Sequence, residues 1–330
     1  MPTRTTPERR WPTVLAVALL VVLGAEILAR VVMTRLPDPL VWASYENQRK
    51  VEDIDELSPT GCVHSVVFGS SIADSAIDAG LATELTGDRF YNAALGGSDA
   101  LAWLSWADEV VIPGLCPQQA FVAIGLREVN GSADGGGFVD RYETSLGRRE
   151  RRGELRGWQW AKKEAWNRSA LFALQRSFRR PADAGSYLLN GSGPWREVND
   201  DYGTLIRFHD RSYDDNPARR RFDREVVFAS YEPRQPRLDT LGDLADRLAE
   251  ADVDVVFVLV PHTAETLDYL DDGTDDVDDF VAAINELATS HGASVIDLLD
   301  ITDDRAHFAD DYHVNGAGAS MVTRALVERR

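Results

Sequence analysis

Cysteine is nearly absent from this 330-residue chain, with Cys62 and Cys116 its whole complement. Neither stands in a Cys-x-x-Cys or Cys/His cluster, so a thiolate metal centre lacks its ligands; no metal is expected and no cofactor is implied. Positive charge is also scarce. Fifty-four acidic against 35 basic residues leave a formal charge of −19, which repels phosphate backbones and argues against nucleic acid as a partner. The acid is densest over Glu265 to Asp279, a run that reads as a solubilising surface. Residues 141–180 run the other way, with twelve Lys or Arg against four Glu.

What the chain does have is one long apolar run. From Trp11 to Met33 it is almost wholly apolar, about the 20 residues a helix needs to cross a bilayer core. Arg4, Arg9 and Arg10 precede it, so the positive-inside rule puts the N-terminus in the cytoplasm and the remainder outside. A cleavable signal ending near Ala29 is the rival; the run outlasts a signal's apolar core, which favours an uncleaved, single-pass anchor in the cell membrane. Glu26 and Arg30 lie four apart on one helical face, where they can pair.

Beyond the anchor, strand-like and helical segments alternate. Strands are expected at Val63 to Phe68, Arg89 to Ala93, Gln119 to Gly125, Val253 to Val260 and Ala293 to Leu298. Helices are expected at Ile77 to Leu85, Leu101 to Val111, Arg237 to Ala251 and Val277 to Ser290. Such alternation predicts a five-stranded parallel sheet covered by helices on both faces, a flavodoxin-like three-layer α/β/α sandwich. Cys62 and Cys116 each precede a strand; if those strands are neighbours, the two thiols share one sheet edge and a disulfide forms outside the cytoplasm.

The division expected is 1–36 tail and transmembrane anchor, 37–60 linker, and 61–330 one domain with an insertion at about 131–235. That insertion holds Gly135-Gly136-Gly137, the basic segment and four of the eight Trp. It leaves from the end of the third strand, so it is either a lid or docking surface over the site or a loosely packed elaboration, and its basic face could also meet anionic headgroups.

Chemistry concentrates at two distant places. Gly69-Ser70-Ser71 follows the first strand, and Asp310-Asp311-Tyr312-His313 lies near the C-terminus. A serine hydroxyl is a poor nucleophile until an imidazole takes its proton, and the imidazole needs a carboxylate to fix its tautomer. Ser71 as nucleophile, His313 as base and Asp310 as orienting acid fit that need, with Asp311 the fallback. Parallel sheets gather ligands at the carboxyl ends of their strands, where Ser71, Gly97 and Arg127 all fall. His64, His209, His291 and His307 lack a partner pattern; His262, after the fourth strand, is a candidate substrate contact.

These blocks resemble the SGNH/GDSL hydrolase superfamily, of the membrane-anchored kind that modifies envelope polymers with acyl groups. The resemblance covers about 63–130 and 237–325. Phe68-Gly69-Ser70-Ser71 matches the nucleophile block, with Ser70 where Asp is commoner. Tyr91 to Ser98 matches the segment whose glycine N–H binds the oxyanion, implying Gly97 beside the Ser71 amide. Asp310-x-x-His313 with Asn315 and Gly318 is similar to the last block.

One block departs: where the family has Gly-x-Asn-Asp, this chain reads Gly125-Leu126-Arg127-Glu128-Val129-Asn130. Arg127 could serve the oxyanion, Asn130 could take that role, or the two amides could act alone; a salt bridge from Arg127 to Glu128 or to an insertion carboxylate is the structural alternative. The resemblance implies an extracytoplasmic serine esterase or O-acyltransferase acting on an acylated envelope glycan or lipid, with a polytopic acyltransferase as a further partner. The other reading is a catalytically silent relative that binds a glycan or a protein.

Overall fold

The computed structural model describes residues 11–36, 45–130, 156–177, 181–190, 200–204 and 208–330. The triglycine of the insertion and much of its basic segment lie outside them. In chain order the helices and strands begin with α1 (Trp11–Met33), α2 (Tyr45–Leu57), β1 (Ser65–Gly69), α3 (Ser71–Ala76), α4 (Ala79–Thr86) and β2 (Phe90–Asn92). There follow α5 (Ala100–Trp106), α6 (Ile112–Leu115), β3 (Gln119–Ile124), α7 (Leu126–Val129), α8 (Trp158–Arg168), α9 (Ala170–Ser177) and α10 (Pro181–Asn190). The rest are α11 (Pro217–Phe222), α12 (Gln235–Ala249), β4 (Asp254–Leu259), α13 (Thr274–Ser290), β5 (Ser294–Asp297) and α14 (Gly316–Arg329).

Two compact units emerge. One combines Met1–Gln48 with Thr144–Pro194, the other Arg49–Glu143 with Trp195–Arg330. The second holds a five-stranded, all-parallel sheet in the order β2-β1-β3-β4-β5, the doubly wound arrangement whose ligands sit beyond the carboxyl ends of the strands. Its strands read as near-continuous apolar runs because helices cover both faces. Helices α3, α4 and α14 pack together as one group, and α5, α12 and α13 as another. Val66, Val67, Phe68, Phe121, Phe257 and Val258 are buried between them. Trp103 and Trp106 are fully buried on α5, and each indole N–H finds a partner, Ser98 Oγ at 2.6 Å and the Ala93 carbonyl at 2.9 Å.

The strands fall where the apolar runs predicted, to within two residues. The helix expected over Ile77 to Leu85 is α4, which starts two residues later, and a further short helix, α3, precedes it. Ser70 caps α3 by accepting from the Ile72 N–H, and Asp78 caps α4 by accepting from the Leu81 N–H at 2.8 Å. Each cap satisfies a backbone donor that would otherwise stay unpaired, so the chain breaks between them. Gly87, at φ 77°, closes α4 in the left-handed conformation that favours glycine.

Within the stretch read as linker, α2 carries a lysine into the core. Lys50 is fully buried, its Nζ donating to Asp74 Oδ1 at 3.1 Å and to the carbonyls of Asn92 and Ala94 at 3.1 and 2.5 Å. Asp74 lies on α3, three residues after Ser71. Removing either partner would leave a buried charge, typically at a cost of about 3–5 kcal/mol.

Cys62 and Cys116 are joined in a disulfide with Cα atoms 5.1 Å apart. The register explains the pairing: Ser65 sits beside Gln119, so the two cysteines, each three residues earlier, meet at the amino edge of the sheet. Closing a loop of 54 residues contributes about 4 kcal/mol in the chain-entropy account.

In the other unit, α1 is long and apolar enough to cross a membrane, from Thr13 to Met33. Glu26 reaches α9: its carboxylate accepts from the Ser169 hydroxyl at 2.8 Å and from the N–H groups of Ala170 and Leu171 at 2.9 and 3.2 Å. Arg30 pairs with Glu26 at 2.9 Å and donates to the Arg168 carbonyl at 2.8 Å.

Candidate active site

The turn after β1 forces Ser71 to the sheet's carboxyl edge. Gly69 has φ 151°, and a Cβ there would stand 2.3 Å from Ala73 Cβ and 2.5 Å from the Ala123 carbonyl oxygen, so only glycine fits. Ser71 then opens α3, with its own N–H among the free donors of the first turn. Ser70 Oγ donates to Glu128 Oε1 at 2.6 Å, and Glu128 Oε2 accepts from the Gly125 N–H at 2.9 Å. Glu128 therefore ties the exit of β3 to the exit of β1. Among the described residues no ion pair joins Glu128 to Arg127.

Ser71 Oγ lies 2.8 Å from His313 Nε2. On the other side of the ring, Nδ1 is 2.9 Å from both carboxylate oxygens of Asp310. All three side chains are buried. Asp310 Oδ1 also accepts from the N–H groups of His313 and Tyr312, at 2.9 and 3.2 Å, so the Asp-x-x-His turn holds its own carboxylate in place. Asp311 faces away: Tyr213 and Tyr269 both donate to it, the latter at 2.5 Å, and Arg220 lies 3.9 Å off. It is not a second orienting acid.

Several residues that the sequence gave no reason to place here surround this turn. Phe208 stacks on the His313 ring with centroids 4.6 Å apart and planes 19° apart. Arg219 Nη1 pairs with Asp310 Oδ2 at 2.9 Å, and its Nη2 donates to Tyr312 Oη at 3.2 Å. Tyr312 in turn donates to Asp223 Oδ1 at 3.2 Å. Burial pushes the Asp310 carboxyl up, but the adjacent His313 and Arg219 outweigh it and hold the group below the usual carboxylate range. Burial and nearby Asp223 push the Tyr312 hydroxyl up to about 12, so it stays protonated. Burial pushes the Asp223 carboxyl up as well.

The expected oxyanion residues fare differently. Ala93 and Leu95 N–H groups bond to the Val67 and Gly69 carbonyls, which carries the chain past the end of β1 into a turn where Gly97 has φ 71°. Gly97 thus shares the carboxyl edge with Ser71. Asn130 does not point to the site: it is fully buried, its amide nitrogen donates to the Val227 carbonyl at 2.7 Å, and its Oδ1 accepts from the Glu232 N–H at 3.4 Å. It holds the segment after β3 to the chain before α12. Arg127 is half-buried and lines a small pocket with Ile72, Gly125, Val260, His262 and Tyr312. Among the described residues its guanidinium has no hydrogen bond or ion pair. His262 is half-buried in the same pocket, its Nδ1 3.0 Å from the Thr263 carbonyl oxygen; burial lowers its basicity more than that carbonyl and Asp303 raise it. No cluster of metal-ligating side chains occurs among the described residues.

A doubly wound parallel sheet with a serine on the turn after the first strand and an Asp-x-x-His turn before the last helix is an SGNH-like α/β fold. Residues 230–327, which include β4, β5 and the terminal turn, match the family described as DltD protein. No curated protein matches the chain in sequence. Among solved structures, one assigned as an acylhydrolase from Bacteroides fragilis superposes with a TM-score of 0.43 at 10% identity, covering 87% of this chain and 96% of that one. A GDSL-like lipase from Bacteroides thetaiotaomicron gives 0.38 at 10% identity, covering 81% and 88%. Neither likeness is close enough to carry chemistry across.

Proposed function

We propose that this protein is an extracytoplasmic serine esterase or O-acyltransferase that acts on an acylated cell-envelope glycan or lipid through an acyl-serine intermediate. The observation that carries this is the continuous hydrogen-bonded line Ser71 Oγ to His313 Nε2 to Asp310, at 2.8 and 2.9 Å. Ser71 Oγ attacks the ester carbonyl carbon while its proton passes to His313 Nε2; Asp310 stabilises the imidazolium and keeps the proton on Nδ1. The tetrahedral intermediate collapses by breaking the bond to the departing alcohol, which leaves with the Nε2 proton. Water or a sugar hydroxyl then repeats the sequence in reverse and frees Ser71.

The developing oxyanion would be met by the Ser71 and Gly97 amides, with Arg127 in place of the family's asparagine. A full positive charge there favours the same species more strongly than a neutral amide would, provided the guanidinium stays unpaired in the complex. The apolar α1 and the family match support a membrane-anchored protein with its catalytic domain outside, working beside a polytopic acyltransferase. Arg127 also supports the second reading, a silent relative that binds an anionic group without turnover. A fluorophosphonate probe applied to membranes holding the full-length chain separates the two. Labelling lost in Ser71→Ala at unchanged thermal stability supports the enzyme, and an unlabelled wild type with intact Ser71 and His313 supports the binder.

A further inference from the structure

The unit built from α1 and residues 144–194 solves a problem that arises only in lipid. An apolar span has little use for a carboxylate, and a helix start placed against hydrocarbon leaves its first N–H groups without water to satisfy them. Here each supplies what the other lacks. Glu26 of α1 accepts from three donors at the start of α9, and Arg30 neutralises it while donating to the last carbonyl of α8. A polar group within an apolar span normally marks a pairing or a function. The covered face of α1 begins at this level. Side chains from Thr13 to Gly24 are exposed throughout, whereas Ala25 and Glu26 are partly covered, Ala29 is 1% exposed and Leu36 is buried.

Glu26 stands seven residues before the end of α1, roughly 10 Å along the helix axis at 1.5 Å per residue. If α1 crosses the bilayer along its apolar length, the turn between α8 and α9 therefore lies within the outer leaflet, about 10 Å inside the outer end of the span. Helices α8, α9 and α10 of this unit carry exposed apolar side chains that suit a membrane. Trp158 is 80% exposed, and Trp160, Phe172 and Leu189 are exposed as well, a density of unpartnered apolar surface that water does not favour and that aromatic belts place at membrane interfaces. Arg168, at the end of α8, is exposed and paired with Glu164 one turn earlier, on a stem long enough to reach headgroups. The surrounding stretch, 141–180, carries twelve basic residues against four Glu in a chain whose net charge is −19.

We infer that α8, α9 and α10 form an interfacial platform seated in the outer leaflet, with Trp158, Trp160, Phe172 and Leu189 in contact with lipid and the basic residues favouring anionic headgroups. This rests on the reading of α1 as a retained anchor, and it opposes cleavage near Ala29, which would remove the carboxylate that caps α9.

The test is depth measurement by spin label on the full-length chain in vesicles of phosphatidylcholine with and without phosphatidylglycerol. Both native cysteines are disulfide-bonded, so single thiols introduced as Phe172→Cys, Leu189→Cys, Leu20→Cys and Leu85→Cys can each be labelled alone. Labels at 172 and 189 should be open to oxygen and shielded from a water-soluble nickel chelate, as at 20, and the reverse of 85 on the sheet domain. The shielding should deepen with phosphatidylglycerol. Nickel access at 172 and 189 equal to that at 85, with 20 still shielded, would overturn the platform while leaving the anchor intact. Immobilised labels at 172 and 189 closed to both reagents would overturn it in favour of a protein cover. A water-accessible label at 20 would remove the anchor, and the platform with it.

Discussion

The two turns that meet at the site are held in place by different means. The turn at Gly69 to Ser71 is fixed by residues close to it in the fold's own plan: a glycine that no side chain could replace, a cap from Ser70, and a carboxylate from the next strand's exit. The turn at Asp310 to His313 is fixed largely by the insertion. Phe208 covers the imidazole, Arg219 holds the carboxylate, and the backbone of Asp214 and His209 bonds to Ala309 and Gly316. Ser71 is thus positioned by the sheet, while the Asp310–His313 turn leans on residues 208–219.

The comparison is broken most directly at the carboxylates. Asp310→Asn keeps the shape of the terminal turn but loses the charge that stabilises the imidazolium, and should lower turnover about ten-thousandfold. Asp311→Asn, one residue on, disturbs only the contacts from Tyr213, Tyr269 and Arg220 and should change turnover far less while lowering the melting temperature. Comparable losses of turnover from both, measured by acyl-ester hydrolysis on equally folded protein, would contradict the assignment of roles.

Arg127 tests the other side of the site. If its guanidinium meets the oxyanion, Arg127→Ala should cost about a hundredfold in kcat at unchanged melting temperature. Lost stability with near-normal kcat would instead make it a structural residue of the pocket.

Arg219 sharpens the claim that the insertion supports the acid. It lies outside any strand or helix of the sheet core, yet Arg219→Gln removes a charge-assisted bond to a buried carboxylate, an interaction worth about 1.5–3 kcal/mol. Because Arg219 helps hold the Asp310 carboxyl low, its loss should move that group up. Asp310 contributes stability that is present above its unfolded value and lost as pH falls through its folded value. The variant should therefore lose this contribution at a higher pH on acidification than wild type does, and coincident acid unfolding profiles would exclude the role.

How much of this was legible beforehand follows the same division. The five strands, their parallel pairing and the disulfide could be read because apolar runs and local spacing carry them. The meeting of Ser71, His313 and Asp310 could be read because a strand exit and an Asp-x-x-His turn are short motifs. Lys50 could not, since a lone lysine in a charged helix looks solvated until the fold closes over it. Arg219 and Phe208 could not either, because nothing near them in sequence says which turn they will meet. Asn130 misled for the opposite reason: its position fits an oxyanion donor, but its side chain is taken up by the backbone at Val227 and Glu232. Glu128, one of the alternative partners for Arg127, serves Ser70 and Gly125 instead.

The smallest effect expected concerns His262, which shares the pocket of Arg127. Burial disfavours its charged form, and the Thr263 carbonyl and Asp303 offset this only in part, so its folded value lies below that of an ordinary histidine. Protons are then taken up on unfolding in the window between the two values, and stability rises with pH there. The contribution is complete above the unfolded value of about 6.5 and is lost as pH falls through the folded one. Replacing the ring by a group that does not titrate, His262→Gln, should therefore flatten part of the acid-side decline in melting temperature while leaving the profile above neutrality parallel to wild type. The same neutrality leaves Arg127 as the fixed charge among the side chains lining that pocket, so inhibition by a small anion should not strengthen as pH is lowered through the ordinary histidine range. Inhibition that grows steeply there, and is lost in His262→Gln, would mean that His262 gains a proton in the complex and binds the anion itself.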